Sequence, residues 1–400
     1  MRAHRSARWL WLLLLVSCGG GGVSAASELR GDDALFDERV LHEVSIEVEA
    51  GDLPDLVPGN DDRVPCRLVF DGLALDDVGI RLKGGPGSLR PIEGKAGFSV
   101  KTNEFVSGQR LHGRSRFLLN NAVQDPSFHS EPLGYEIWRR AGHPARRTAH
   151  ARVTFNGVVF GVYVLAEAID KDYLESRYGS DDGNLYEGVF GEDVTDAEAL
   201  DLESGEDEGR SDLVALRDLL WLEPDATFLA RVADAVDLDS LLRYWAVELL
   251  VRHWDGYATF PPPVCPDCGS PNNWYLYAAP PTGRLEWIPH GADQLFTDPA
   301  SPALRPPSWR SHLAARLFGF EEIRARLAGE MRRILDGAWD VTSLVRRLDE
   351  GEALIRGAVL GGDREPGFSF DAHDLRLSAL RTFLRERPAR VRAELAAAGY

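Results

Sequence analysis

The chain has 400 residues, an apolar fraction of 44% and ten tryptophans, which is enough to fill a sizeable core in one large domain or two smaller ones. Its formal charge of −18 repels phosphate backbones and argues against nucleic acid as a partner. The same field acts against a free anionic nucleotide, which would need a metal and local cations to stay bound.

Residues 1–17 read as a secretory signal, with a basic start (Arg2, Arg5, Arg8) and a short apolar run over 9–16 that is too short to span a bilayer as a helix. The stretch LVSC fits the lipoprotein cleavage pattern. On that reading Cys18 becomes the first mature residue and is acylated, and residues 18–34, with glycines at 19–22, form a flexible tether. An ordinary signal peptide with a chance cysteine is the plainer alternative. The lipid reading places the protein outside the cytoplasm, bound to a membrane of the cell envelope. Gly19 rather than Asp after the cysteine favours the outer membrane in a diderm cell. No other window is apolar enough for a membrane-spanning helix.

From residue 35 the text alternates apolar and polar, the signature of half-buried strands. Asp71-Gly72 and Asn156-Gly157 mark two hairpin turns. GFSVKTNEF puts Phe98 and Val100 on one face and Ser99 and Lys101 on the other. HSEPLGYEIWRRAG has helical periodicity and ends at Gly142, with Arg139 and Arg140 suited to the C-terminal dipole. Residues 35–175 therefore read as a strand-rich lobe carrying one prominent helix. Residues 181–212 hold thirteen acids and one base, Arg210, and read as a solvated insertion. A calcium loop is the sharper alternative, although EF-hand spacing is absent. The rest of 176–400 is mainly helical. A long apolar-faced helix follows an N-cap at Asp237 or Asp239, and a short hairpin turns at Thr282-Gly283. The whole is an α+β outline of two lobes with a cleft between them, where ligands commonly bind.

The cysteines leave several options open. Cys265 and Cys268 form C-x-x-C; in an oxidising compartment a local disulfide bracing a loop is the simplest reading. Zinc would need two more ligands, for which His253 and His290 are available, and a thioredoxin-type motif lacks its βαβ surroundings. Cys66 reads as a small buried hydrophobe.

Phosphoryl transfer needs cations on the phosphates, a metal held by hard oxygen donors and a base beside the accepting hydroxyl. Asp255 follows a long helix and precedes Gly256, a position for a base or merely a turn. Asn272-Asn273 opens a strand, and Asp293 leaves the next one; both types of oxygen suit magnesium. Lys83, Lys95 and Lys101 surround a glycine-rich turn (Gly84, Gly85, Gly87) that permits close approach to phosphate but fails the P-loop spacing. Lys101 is the first candidate to face the cleft and Lys83 the second. Glu131 on the helix of the first half is placed to pair such a lysine. The hydrolase motifs G-x-S-x-G and H-E-x-x-H are absent.

Several long motifs occur in a familiar order: RLKGG…GKAGFSVKTNEF, LLNNAVQDPSFHSEPLGYEIWRRAGHPARRTAHARVTFNGVVFGVYVLAEAID, HWDGYATF…NNWYLY and WIPHGADQLF. Over roughly residues 35–400 the chain resembles the CotH spore-coat kinase family. The resemblance implies an atypical protein-kinase-like fold with a strand-rich N-terminal lobe and a helical C-terminal lobe. It implies phosphorylation of serine on coat or surface proteins with ATP and Mg²⁺ or Mn²⁺. By position, Lys101 resembles the phosphate-contacting lysine, Glu131 its helix partner, Glu167 part of the segment linking the lobes, Asp255 the catalytic acid and Asn273 the metal-holding amide. The departure is IPHGAD, where active members usually read I-P-W-D-x-D. Gly291 stands in place of the first Asp, His290 in place of Trp, and Asp293 alone remains for the metal. A P-W-G-x-D form also occurs in the family. The insertion containing Cys265 and Cys268 lengthens the segment between Asp255 and Asn273. Two functions follow: a surface-anchored serine kinase acting on an extracytoplasmic protein, or a catalytically impaired binding or structural lipoprotein on the same fold.

Overall fold

A computed structural model of the protein describes residues 33–258 and 269–400. Cys18, Cys265 and Cys268, and with them the lipid and disulfide expectations, lie outside the described residues. The first half is built from β1 (Leu41–Glu47), β2 (Val64–Phe70), β3 (Leu73–Lys83), β4 (Gly97–Lys101) and β5 (Arg116–Asn120), then α1 (Ser130–Arg140), β6 (Thr148–Phe155) and β7 (Val158–Glu167). The β2–β3 and β6–β7 hairpins turn on Asp71-Gly72 and Asn156-Gly157, all four at positive φ, the backbone that matches the twist of paired strands. The strands close into a barrel in the order β1-β2-β3-β4-β5-β7-β6, with β1 lying parallel to β6 at the seam. Closure follows from alternation: Val44, Ile46, Leu68, Ile80, Phe98, Val100 and Phe117 all turn inward and fill the interior.

The second half contains α2 (Lys171–Tyr178), β8 (Leu185–Glu187), β9 (Asp201–Ser204), α3 (Ser211–Leu222), α4 (Asp225–Ala235), α5 (Leu238–Val251), β10 (Trp274–Ala279), β11 (Arg284–Pro289), α6 (His312–Phe318), α7 (Glu321–Gly337), α8 (Val341–Leu360) and α9 (Phe370–Ala397). Helix α5 is capped by Asp237, whose side chain accepts from Ser240 N. A four-stranded sheet, β11-β10-β8-β9, lies at the front of the helices. The fold is thus α+β in two lobes.

Two features depart from the expectations. Helix α1 does not belong to the barrel's core. Its Leu133, Ile137 and Trp138 are buried with Tyr244, Trp245 and Leu295 in the core of the helical half, and Gly134 leaves only enough room for Leu295 to lie against it. The acidic stretch is not a free loop either. It supplies β8, β9 and the start of α3, and it buries Tyr186, Val194 and Leu200. Three of its carboxylates are taken by protein donors: Asp212 accepts from the Tyr186 hydroxyl and Asn184, Asp207 from Ser211, and Asp193 from His312 N. That leaves the calcium reading without support, and among the described residues no three His, Cys, Asp or Glu side chains are grouped to hold a metal. Cys66 is free and buried inside the barrel, where burial pushes its thiol up to about 12. Among the described residues no helix is long and apolar enough to cross a membrane.

Candidate functional site

The cleft between the lobes is floored by one face of the barrel. Lys83 is the last residue of β3, and its Nζ donates to Asn120 Oδ1 at 2.5 Å. The side chain crosses β4 to reach β5, and Gly97 makes the crossing possible. A Cβ at Gly97, opposite Lys83 in the ladder, would lie 2.9 Å from the Lys83 carbonyl oxygen and 3.3 Å from its Cγ. Asn120 passes the contact on: its Nδ2 donates to both carboxylate oxygens of Glu131, each at 2.8 Å. Glu131 lies in the first turn of α1 and is 4% exposed. The lysine and the helix acid thus meet through an amide. Burial lowers the Lys83 pKa; Glu131, Asp293 and Glu187 pull it the other way, and Arg146 pushes it down further.

Lys101, the first candidate for this role, stands elsewhere. It is on the same barrel face, but it pairs with Gly79 across the ladder, four residues or about 13 Å along the strand from Lys83. Its side chain is 42% exposed and ion-paired to Glu104 at 2.7 Å. With Arg81, Arg116, Asp170 and Glu203 it lines a hollow of about 570 Å³ at the mouth of the cleft. Glu167 ends β7, at the passage between the lobes, but its carboxylate is 1% exposed and surrounded by Arg114, Arg147 and Arg177 at 2.8–2.9 Å. Its carboxylate is engaged by these arginines and anchors the linking segment. Lys95 faces away from the cleft altogether, in a buried ion pair with Asp363.

Asp255 follows α5 on a short loop. Its Oδ1 accepts from Asn272 Nδ2 at 3.2 Å and its Oδ2 from Asn273 Nδ2 at 3.0 Å; Asn273 also donates to the Asp255 carbonyl at 2.9 Å. The insertion between 255 and 273 therefore does not part these residues. The loop is held from below by Glu248, 1% exposed, which accepts from Tyr257 N, Ala258 N and the Tyr244 hydroxyl at 2.7–3.2 Å. Gly256 lies so close to Glu248 Oε1 that a side chain would collide with it. The glycine of the Asp-Gly pair thus serves close approach as well as turning. Burial raises the Asp255 pKa, and Asn272, His253 and Asn273 partly reverse the effect.

Beyond β11 the chain reads His290-Gly291-Ala292-Asp293. Gly291 has φ +52, and any Cβ there would strike the Asn273 amide oxygen. The missing acid has therefore been replaced spatially: Asn273 occupies the room its side chain would need. The Asp293 carboxyl is pushed far above the usual carboxylate range, to about 7, first by burial and then by Glu131 and Asp125, with Lys83 as the cation that pulls it down. His290 is kept neutral by burial and by Arg146 and Lys83; its ring lies edge-on to Tyr275 at 5.3 Å. The acids that act on Lys83 are Glu131, Asp293 and Glu187. Among the described residues the Asn273 amide oxygen takes no protein donor. That free hard oxygen and the Asp293 carboxylate are donors of the type a divalent cation takes, and Asp293 and Asn273 are the residues that would hold one.

Asn120, Glu248 and Gly97 had no motif to announce them. Asn120 is one of two adjacent asparagines at a strand end, and Glu248 is an acid inside an apolar helical run; only the second is an anomaly readable in the text.

The CotH kinase protein family model matches residues 80–391. Inner spore coat protein H of Bacillus subtilis is 26% identical over 249 residues, covering 58% of this chain and 62% of its own length. Invasin CotH2 of Rhizopus delemar is 29% identical over 170 residues, 38% of this chain and 29% of its own. The chain therefore spans less than two thirds of the length of both relatives. A crystal structure of the Helicobacter pylori proinflammatory kinase CtkA aligns with a TM-score of 0.36 and 11% identity over 76% of this chain and 95% of that one. With the matched segment running from the middle of β3 into α9 and enclosing the whole cleft, this chain belongs to the CotH kinase protein family.

Proposed function

We propose that the chain binds ATP with Mg²⁺ or Mn²⁺ in this cleft and transfers the γ-phosphoryl group to a serine hydroxyl of an extracytoplasmic protein. The observation that carries the reading is Lys83, joined through Asn120 to Glu131 and facing Asp293 across the cleft. Lys83 would take phosphate oxygens, and the Glu131–Asn120 relay would hold its ammonium in place. Asp255, oriented by Asn272 and Asn273, would accept the serine proton as the hydroxyl oxygen bonds to the γ-phosphorus and the bond to the ADP oxygen breaks. The cation supplies charge neutralisation on the transferring group. The leader and Cys18 suit a lipid-anchored protein at the cell envelope, and a spore-coat relative is compatible with a surface partner.

A second reading has its own observation. Gly291 leaves a single carboxylate for the metal, which favours a protein that binds its ligand or partner without turnover. Incubation with radiolabelled ATP and either metal, scoring autophosphorylation and transfer to serine-rich peptides, separates the two. Transfer by the wild type that falls about 10²–10⁴-fold in Asp255→Ala supports the kinase. Equal signal from both proteins overturns it.

A further inference from the structure

The segment between α1 and β6 carries two adjacent arginines with opposite fates. Gly142, at φ +80, ends α1, with His143 N donating to the Trp138 carbonyl at 2.9 Å in the six-to-one bond of a helix C-cap. The His143 ring holds the Trp287 carbonyl at 2.9 Å, and Arg147 N donates to Glu167 at 3.1 Å. The backbone is thus pinned on both sides of Arg146. Arg147 turns one way, into ion pairs with Glu167 at 2.8 Å and Asp33 at 2.9 Å. Arg146 turns the other way and is 1% exposed, and its Nε and Nη1 have no hydrogen-bond partner among the described residues.

Its surroundings come from both lobes. Lys83, Glu131, Tyr135, Glu187, Tyr275 and His290 all feel its charge. None of the acids meets it in an ion pair. Glu131 gives both oxygens to Asn120, and Glu187 faces His290 at 3.9 Å. A buried guanidinium without a partner is costly, and proteins normally match such a group with an anion or with acceptors. Here Glu131 and Glu187 act on it only from a distance while a lysine stands nearby, and the unbonded Nε and Nη1 remain open to an anion such as phosphate.

We infer that Arg146 is a second phosphate-binding cation of the cleft, its guanidinium kept free of protein partners so that it takes the polyphosphate of a nucleoside triphosphate beside Lys83. The inference rests on the nucleotide reading above and adds a residue to it. Guanidinium suits the task because its planar fork meets phosphate oxygens in pairs. The anionic chain otherwise repels ATP, and Lys83 alone, already engaged with Asn120, would be a weak attractor.

Calorimetry on the full chain with Mg²⁺ tests this, using ATP and adenosine as probes, together with melting curves of the free proteins. Arg146→Met is expected to bind ATP about 10–100-fold more weakly. Adenosine affinity should stay the same, and the free melting temperature should stay the same or rise. ATP affinity equal to the wild type overturns the assignment and leaves the nucleotide reading standing. Equal loss for ATP and adenosine also overturns it, by marking Arg146 as structural. A wild type that binds neither probe overturns both proposals. Should Arg146→Met not fold, Arg146→Lys keeps the charge and loses the fork. It is expected to weaken ATP about 3–10-fold with adenosine unchanged, and unaltered ATP binding sinks the inference.

Discussion

The molecule contains two lysines at the ends of one glycine-rich turn, and they live under opposite regimes. Lys95 lies behind the barrel in direct contact with Asp363; both side chains are 1% exposed, and the ammonium sits 4.7 Å from the Phe128 ring and 5.3 Å from that of Tyr163. Lys83 stands at the cleft, reaches Glu131 only through Asn120, and shares its surroundings with unmatched Arg146 and with Asp293, whose carboxyl burial pushes up to about 7. The back of the barrel is electrostatically closed, whereas the front is left incomplete on both signs at once. Scaffolding satisfies its charges internally. A site that must take a polyanion and a cation keeps donors and acceptors in reserve.

The contrast can be broken most severely by chemistry. Asp255→Asn should reduce phosphoryl transfer about 10²–10⁴-fold in the radiolabel assay with only a small fall in melting temperature, since the amide can accept from one of Asn272 and Asn273 but not from both. Next comes Lys95→Met, which strands Asp363 in the interior. A loss of about 3–5 kcal/mol is expected in denaturant melts, and a near-neutral outcome would erase the distinction between the two lysines.

The third effect is pH-dependent. Asp293 has a folded pKa of about 7 against an ordinary value near 4, because burial, Glu131 and Asp125 oppose its charge more than Lys83 favours it. Between those values the folded state holds a proton that the unfolded state has lost, so the contribution of Asp293 to stability is full below pH 4 and lost as pH rises to 7. Asp293→Asn should therefore gain on the wild type by roughly 1.4 kcal/mol per pH unit across that window, and Mg²⁺ at pH 8 should raise the melting temperature of the wild type alone. Parallel curves for the two proteins would remove the premise that Asp293 is buried without a cation to match it. The smallest effect is Lys83→Met, expected to change stability by about 1 kcal/mol or less while ATP binding is lost; a destabilisation matching that of Lys95→Met would show the cleft to be another closed scaffold.

Local chemistry made much of the fold readable. The turns at Asp71-Gly72, Asn156-Gly157 and Thr282-Gly283, the helix of α1 and the Asp237 cap of α5 each depend on a few neighbouring residues. Closure of the barrel does not: it needs β1 to lie parallel to β6, a pairing across about a hundred residues that no local pattern encodes. The same limit hid the attachment of α1 to the helical half and the strands inside the acidic run, where Leu185 and Tyr186 are too few to show a period. In the site, Asp255, Asn273 and Asp293 were marked by motifs. The choice between Lys83 and Lys101 was not, because alternation puts both on one face and only the ladder register tells which lies beside Asn120. Arg146 and Arg147 are indistinguishable as text, and only the direction each side chain takes separates them.

The turn between α8 and α9 reaches back to the barrel at several points. Besides Asp363, Glu365 pairs with Arg90 at 3.0 Å, Arg364 lies 4.5 Å over the Phe160 ring and donates to the Glu93 carbonyl, and Gly161, at φ +110, leaves the room Asp363 needs. Such a rivet fastens the rear edge of the two lobes and the far limb of the glycine-rich turn together. The rivet thereby limits how far the two lobes can part along that edge.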